Sequence, residues 1–290
     1  KTSFPIMADD RKADLETKKS LGFLDSSQCK HWLFDSLDEI RQRQLHSFHT
    51  ELPRISAMAA DDKDISALIP SDEEYLHSLS YFCKEIIEIC RRFRFPPYVA
   101  CTAVTYFKRF FLNSKCNLIS MDAMVIKDTC IYLASKSEQC LFTGVHQLTA
   151  VTQTHPDQVI DHELVVLDAI HFQLKIWSPL RAFRSFINDF KSVYKQKKKA
   201  NLSEKYEAQI CKQGQDLIQD SYISDVSLLY TPSQIALACL LMAVSCIDIA
   251  KDADKAELRQ MSIAYFNERF GCKDGKDAEK KQRFVLLQET

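Results

Sequence analysis

His162 and Glu163 stand side by side, as do the first residues of the H-E-x-x-H pattern, in which two histidines one helical turn apart hold zinc and the glutamate serves as base. Position 166 is Val, so the second ligand is missing. His46 and His49 share a helix face, but no cysteine or acid stands near them in a ligand pattern, and they read as surface residues. Asp61-Asp62-Lys63-Asp64 gathers carboxylates of the type that holds Mg²⁺, which in all-helical diphosphate enzymes project from helix walls into a cavity. Here they fall in a stretch, 54–70, that reads as linker, with no second acidic cluster, so a solvated loop is expected. Neither G-x-x-x-x-G-K-[ST] nor G-x-G-x-x-G occurs, and five glycines leave little room for a phosphate cradle. The residue chemistry points away from catalysis, and no cofactor or metal site is expected.

Charge pairing is the chemistry that remains. Ser120 to Glu138 reads as a helix with Ser120 as N-cap and Asp122 in its first turn, where free N–H groups and the helix dipole favour negative charge. From Ala123 to Ala134 its only charges are Lys127 and Asp128, so the helix is expected to be surrounded by others. Lys136 sits near its end. In a later helix Ile160, Leu167 and Ile170 form a stripe into which Glu163 falls. A buried lone carboxylate is costly, so Glu163 should meet a cation, and Lys136 is the candidate. Two readings stay open: an intramolecular salt bridge, or a charged pair at the rim of a binding surface.

The elements that position this pair follow from helical periodicity. Lys1 to Asp25 reads as a mobile tail, anchored by Trp32 and Phe34. Ser36-Leu37-Asp38-Glu39 matches a capping box opening a helix through Ile40, Leu45 and Phe48 that should stop by Pro53. A second box, Ser71 to Glu74, opens a helix carrying Tyr75, Leu79, Phe82, Ile86, Cys90 and Phe93. Pro96-Pro97 starts the next, which buries Val99, Ala103, Tyr106, Phe107 and Phe110 and leaves Lys108 and Arg109 to solvate its other side. A short helix over 144–151 is capped by Thr143, and Pro156 begins the Glu163 helix. Beyond Trp177, Leu180, Phe183, Phe186, Ile187, Phe190 and Tyr194 form a stripe that Lys195 to Lys199 should break as a solvated loop. Ser203 to Tyr222 is helical, Thr231-Pro232 opens an all-round apolar helix from Ile235 to Ile249, and Leu258, Met261 and Tyr265 mark a last amphipathic helix. Ile126-x3-Cys130-x2-Leu133-Ala134 and Ile235-x3-Cys239-x2-Met242-Ala243 share one register, which supports a duplication built on two buried central helices.

Composition agrees with an all-α chain: five glycines and eight prolines in 290 residues argue for helices with short connections. Hydrophobic content of 46% fills a core, and a net charge of −1 gives no global nucleic-acid signal. Eleven scattered cysteines without a C-x-x-C pair suggest free thiols in a reducing compartment. No signal peptide is visible, and the most apolar run, Ile235 to Val244, is about half of what a bilayer requires. A soluble intracellular chain is expected, with native termini elsewhere, since the sequence opens on Lys1 rather than Met.

Three segments carry a family resemblance: Tyr106-Phe107-Lys108-Arg109-Phe110, Ala134-Ser135-Lys136, and Glu163-Leu164 leading to Phe172-Gln173-Leu174. They resemble the cyclin box over Ser71 to Leu174, with a weaker copy to about Phe270. Lys30 to Phe34 and Leu228 to Leu237 are similar to the H-type cyclins, and Ala236 to Leu240 also resembles the C-type. The resemblance implies two tandem five-helix boxes with an extra N-terminal helix: a tail and flanking helix over 1–54, a kinase-binding box over 55–174, and a second box with the C-terminal segment over 175–290. It implies a non-catalytic subunit that binds a cyclin-dependent kinase and holds its αC helix inward, where the αC glutamate pairs with the lysine that orients ATP phosphates. Lys136 and Glu163 would hydrogen-bond kinase backbone, Phe172 and Leu174 would supply apolar contact, and Ser137 and Glu138 adjoin them.

This chain departs from the cyclin pattern in places. Ser137 replaces an apolar residue and Gln139 a second acid, while Leu76-His77-Ser78-Leu79 stands where cell-cycle cyclins carry a substrate-docking patch. The last departure favours the transcriptional branch. By resemblance the complex would act on activation loops of other such kinases and on the RNA polymerase II repeats. A RING-finger assembly factor would be its third subunit, and it would work in the nucleus without direct nucleic-acid or membrane contact. A C-type activator of the Mediator kinase and a promoter-binding transcription factor of the same fold are the alternatives.

Overall fold

The computed structural model describes residues 22–59, 69–140, 144–246 and 252–270. Among these are twelve α-helices and a 3-10 turn at Phe23–Asp25, with no strand, so the expected all-α class holds. The tail before Gly22 and the acidic cluster Asp61 to Asp64 lie outside the described residues. In α1 (Ser27–Trp32) the Ser26 hydroxyl accepts from the Cys29 N–H, and at the start of α2 (Leu37–Ala59) Ser36 accepts from the Glu39 N–H. The expected stop at Pro53 is not observed, because α2 runs on to Ala59. A proline inside a helix forfeits one N–H bond and its ring crowds the preceding turn; Pro53 is on the exposed side, where the turn can relax into solvent.

The first bundle consists of α3 (Asp72–Arg92), α4 (Pro97–Phe111), α5 (Ala123–Ser137), α6 (Val145–Thr152) and α7 (Pro156–Ala169). Ser71 and Glu74 cap α3 reciprocally, as the sequence pattern demands. The N-cap of α5 is Asp122, not Ser120: its carboxylate accepts from the N–H groups of Met124 and Val125, where the helix end also favours its charge. Gly144 occupies the N-cap of α6, and Thr143 lies outside the described residues. Helix α5 packs against α3, α4, α6 and α7, which is why its interior positions are nearly all buried. Even its two charges are enclosed. Lys127 donates to Glu85 at 3.1 Å, and Asp128 accepts from the hydroxyls of Thr152 and Thr154.

Three of these helices stop in the same way, without glycine. Arg94, Gln139 and His171 adopt left-handed φ values of 55°, 53° and 56° just past α3, α5 and α7. Each is followed by an N–H that reaches back to the helix: Phe95 to Cys90, Cys140 to Ser135, Phe172 to Leu167. These are Schellman terminations, in which two otherwise unpaired carbonyls are satisfied.

The second bundle comprises α8 (Pro179–Lys198), α9 (Glu204–Ser221), α10 (Val226–Leu229), α11 (Pro232–Cys246) and α12 (Asp252–Arg269). Helix α11 is its centre, packed by α8, α9, α10 and α12, and Ile235, Cys239 and Ala243 are buried as their counterparts on α5 are. Met242 departs from that register, being 51% exposed. The lysine run does not break α8, which continues to Lys198. Lys197 pairs with Glu268 and Lys198 with Glu257, so the run ties α8 to α12 rather than forming a loop. Gly214 on α9 is where the ring of Phe183 crosses, and a Cβ there would overlap that ring.

Lys108 and Arg109 are the largest correction to the sequence reading. Both are buried, because α4 is flanked by its own bundle, by α9 of the second bundle and by the N-terminal segment. Lys108 donates to the Ser224 carbonyl and to Asp225 at 2.9 Å, which bolts the two bundles together. Trp32, Phe34, Ile40, Leu112 and Leu228 form a second small core at the same junction, and the Phe34 N–H donates to the Leu228 carbonyl. The anchoring expected of Trp32 and Phe34 is therefore observed.

Candidate functional site

The end of α5 and the outer face of α7 meet at one surface. Lys136, in the last turn of α5, donates to a Glu163 carboxylate oxygen, and its ammonium lies 4.9 Å from the Tyr132 ring centre. The predicted pair forms, with Lys136 side chain 48% exposed and that of Glu163 21%. Of the stripe expected around Glu163, Ile170 is buried and Leu167 packs half-buried against the core, while Ile160 turns outward. Val159, Val166 and Ala169 are buried beside Ile170, so the core side of α7 carries smaller and β-branched residues. Ile160 is left 47% exposed, Leu164 65% and Val165 39%. Phe172, in the turn after α7, is 58% exposed. Ile160 stands one turn before Glu163 on α7, so an exposed large apolar side chain adjoins the charged pair, a surface suited to a protein partner rather than to water.

The other candidates turn inward. The Ser137 hydroxyl donates to the Ala134 carbonyl and lies 3.0 Å from the Tyr106 hydroxyl. Glu138 accepts from Thr102 at 2.6 Å. Leu174 is half-buried against the core, and its carbonyl accepts from Tyr106 at 2.7 Å. Burial holds the Tyr106 phenol up at about 12, so it stays a neutral donor. Ser137, Glu138 and Leu174 thus fasten the surface from beneath, while Lys136, Glu163 and Phe172 face outward. Sequence reasoning missed Ile160, Leu164 and Val165 as surface residues, although the exposed acids Asp157, Asp161 and Asp168 mark one side of α7 and Leu164 falls among them, three residues after Asp161 and four before Asp168.

Among the described residues no group of three or more His, Cys, Asp or Glu could hold a metal ion, and no helix is long and apolar enough to cross a membrane. His49 bonds Asp72 at 2.7 Å on the surface. The described cysteines are free thiols, and burial raises those of Cys83 to about 11 and Cys101 to about 12.

Two helical bundles, each built round a buried central helix, are the architecture of the cyclin fold. The family model for the cyclin N-terminal domain matches residues 65–175, and that for the cyclin C-terminal domain matches 178–285. The chain belongs to the cyclin family. It is 28% identical to Cyclin-H of Xenopus laevis over 237 residues, covering 76% of this chain and 68% of that protein. It is 25% identical to Cyclin-C of Drosophila melanogaster over 257 residues, covering 83% and 82%. A chain in the yeast TFIIK (Kin28/Ccl1/Tfb3) complex has the same fold, with a TM-score of 0.64, 22% identity, and coverage of 92% of this chain and 97% of that one.

Proposed function

We propose that this chain is the regulatory, non-catalytic subunit of a nuclear cyclin-dependent kinase of the CDK-activating type. The observation that carries this reading is the outward face in which the Lys136–Glu163 pair stands beside exposed Ile160, Leu164 and Phe172. Such a face offers a kinase helix apolar burial, and the lysine and glutamate offer one donor and one acceptor to its backbone. By family resemblance the helix held would be αC, whose inward position lets its glutamate orient the ATP-binding lysine. Binding energy spent only on that conformer shifts the kinase toward activity.

The H-type relative and the TFIIK neighbour support assignment to the transcriptional branch. The substrates inferred from it are kinase activation loops and the RNA polymerase II repeats. The three-component name of the yeast complex supports a third subunit, inferred to be a RING-finger assembly factor. The domain limits proposed are a tail and flanking helix over 1–54, the kinase-binding box over 55–174 and the second box with the C-terminal segment over 175–290.

Capture from nuclear extract with this chain as bait, read by mass spectrometry, tests the reading. A cyclin-dependent kinase recovered with a RING-finger protein is the expected result. Recovery with Mediator subunits would move the assignment to the C-type branch, and recovery of no kinase would overturn it.

A further inference from the structure

Phe172 is held in a conformation that its own chemistry disfavours. His171 is left-handed because it terminates α7, but Phe172 follows it at φ 56° as well. Two successive non-glycine residues there are uncommon, and for a bulky side chain the state is strained. Such backbone persists only where its surroundings over-determine it.

The surroundings here come from the N-terminal segment and α4. Arg109, fully buried, donates from Nη1 to the Gln173 carbonyl at 2.9 Å and stacks its guanidinium 4.8 Å from the Trp32 ring centre. Its Nε and Nη2 have no hydrogen-bond partner among the described residues, so the arginine is kept buried at a cost for one carbonyl and one ring. Burial lowers its pKa to about 10, against the opposing pull of Tyr106 and Tyr222. Trp32 donates its indole N–H to the Gln173 side chain, and its ring stacks on His171 at 6.3 Å. Four residues before Trp32, Gln28 accepts from the Trp177 N–H at 2.7 Å, while Phe23 packs edge-on against the Trp177 ring. Tyr106 holds the Leu174 carbonyl from the other side.

We infer that Trp32 and Arg109 are positioning residues for partner binding: they clamp the His171–Leu174 turn so that Phe172 stands outward before any partner arrives. The inference rests on the proposed kinase-binding reading for its consequence, but the clamp itself is a property of this chain alone. Trp32 is only 7% exposed, so its effect on a partner must pass through the turn. A preformed aromatic anchor spares the ordering cost that an exposed, mobile one would incur on binding.

The test has two arms. In the first, hydrogen exchange of the amides of His171 to Leu174 is followed in the full chain for wild type, Trp32→Ala and Trp32→Phe. Exchange should speed up at least about tenfold in Trp32→Ala and less in Trp32→Phe, which keeps a ring over Arg109; unchanged exchange would overturn the clamp. In the second, surface binding kinetics are measured against the recombinant kinase subunit identified by capture. Trp32→Ala should weaken affinity about tenfold and Phe172→Ala about thirtyfold, the range of an aromatic hot spot. In the Phe172→Ala background, Trp32→Ala should add no more than about twofold, since its effect is routed through Phe172. Fully multiplicative losses would overturn the coupling. A wild-type chain that binds no kinase would overturn the proposed function, while the exchange arm would still decide the clamp.

Discussion

The ammonium of Lys136, at the end of α5, donates to the carboxylate of Glu163, in the middle of α7, so the two helices that form the outward face are joined at its charged centre. With Lys136 about half exposed, the pair is expected to contribute roughly 1 kcal/mol or less to folding. Once a partner covers it, the same charges are desolvated, and loss of either is expected to weaken binding about tenfold or more. Lys136→Ala and Glu163→Ala should therefore leave urea unfolding nearly unchanged while lowering kinase affinity. Large destabilisation with unchanged affinity would assign the pair to the fold instead.

Gly214 and Phe183 set a tighter constraint inside the second bundle. Alanine is favoured over glycine in a helix by about 1 kcal/mol, so Gly214→Ala would be stabilising if space allowed. The Phe183 ring lies where that methyl group must go and is itself buried, so overpacking should cost about 1–3 kcal/mol. Net destabilisation in urea unfolding is the expected outcome, and a variant as stable as wild type would show that the ring moves freely.

What the sequence revealed of this fold follows from which signals are local. The caps at Ser36 and Ser71 and the apolar runs of α5 and α11 were legible because each is set within a turn or two of chain. The ends of α3, α5 and α7 were not marked by glycine, since Arg94, Gln139 and His171 fill the left-handed position. Lys108 and Arg109 were read as solvated because their partners, Asp225 and the Gln173 carbonyl, lie far along the chain. Lys136 and Glu163 came together as expected. The exposed Leu164 stands among the acids Asp157, Asp161 and Asp168 of α7, a signal present in the sequence, whereas Ile160 carries none that sets it apart from the buried Val159.

Gln139 offers a stabilising change next to the site. Its φ of 53° costs a non-glycine residue about 1–2 kcal/mol, and among the described residues no hydrogen bond of its exposed side chain offsets that. Gln139→Gly is expected to stabilise by up to about 1 kcal/mol, part of the gain being lost to the freer unfolded chain. Thermal unfolding should shift upward with kinase affinity unaltered, because the Cys140 N–H bond to Ser135 is retained. A lower melting temperature would mean that the side chain has a structural role.

Asp128 makes the stability of the first bundle depend on pH. Its carboxyl is fully buried on α5; burial raises its pKa, against the opposing pull of the Thr152 and Thr154 hydroxyls and of Lys127, while Glu85 adds to the rise. In the unfolded chain it titrates near its ordinary value of 3.8. Above that value the unfolded chain gives up the proton while the folded chain retains it, so the contribution present in acid is lost as pH climbs through the raised folded value. Asp128→Asn cannot titrate. The difference in unfolding free energy between wild type and Asp128→Asn should therefore shift against wild type as pH rises from about 4, then level off once the folded carboxyl has ionised. Urea unfolding of both chains between pH 4 and 8 measures this difference directly. Parallel pH profiles would mean that the threonine hydroxyls and Lys127 together offset the cost of burying the charge.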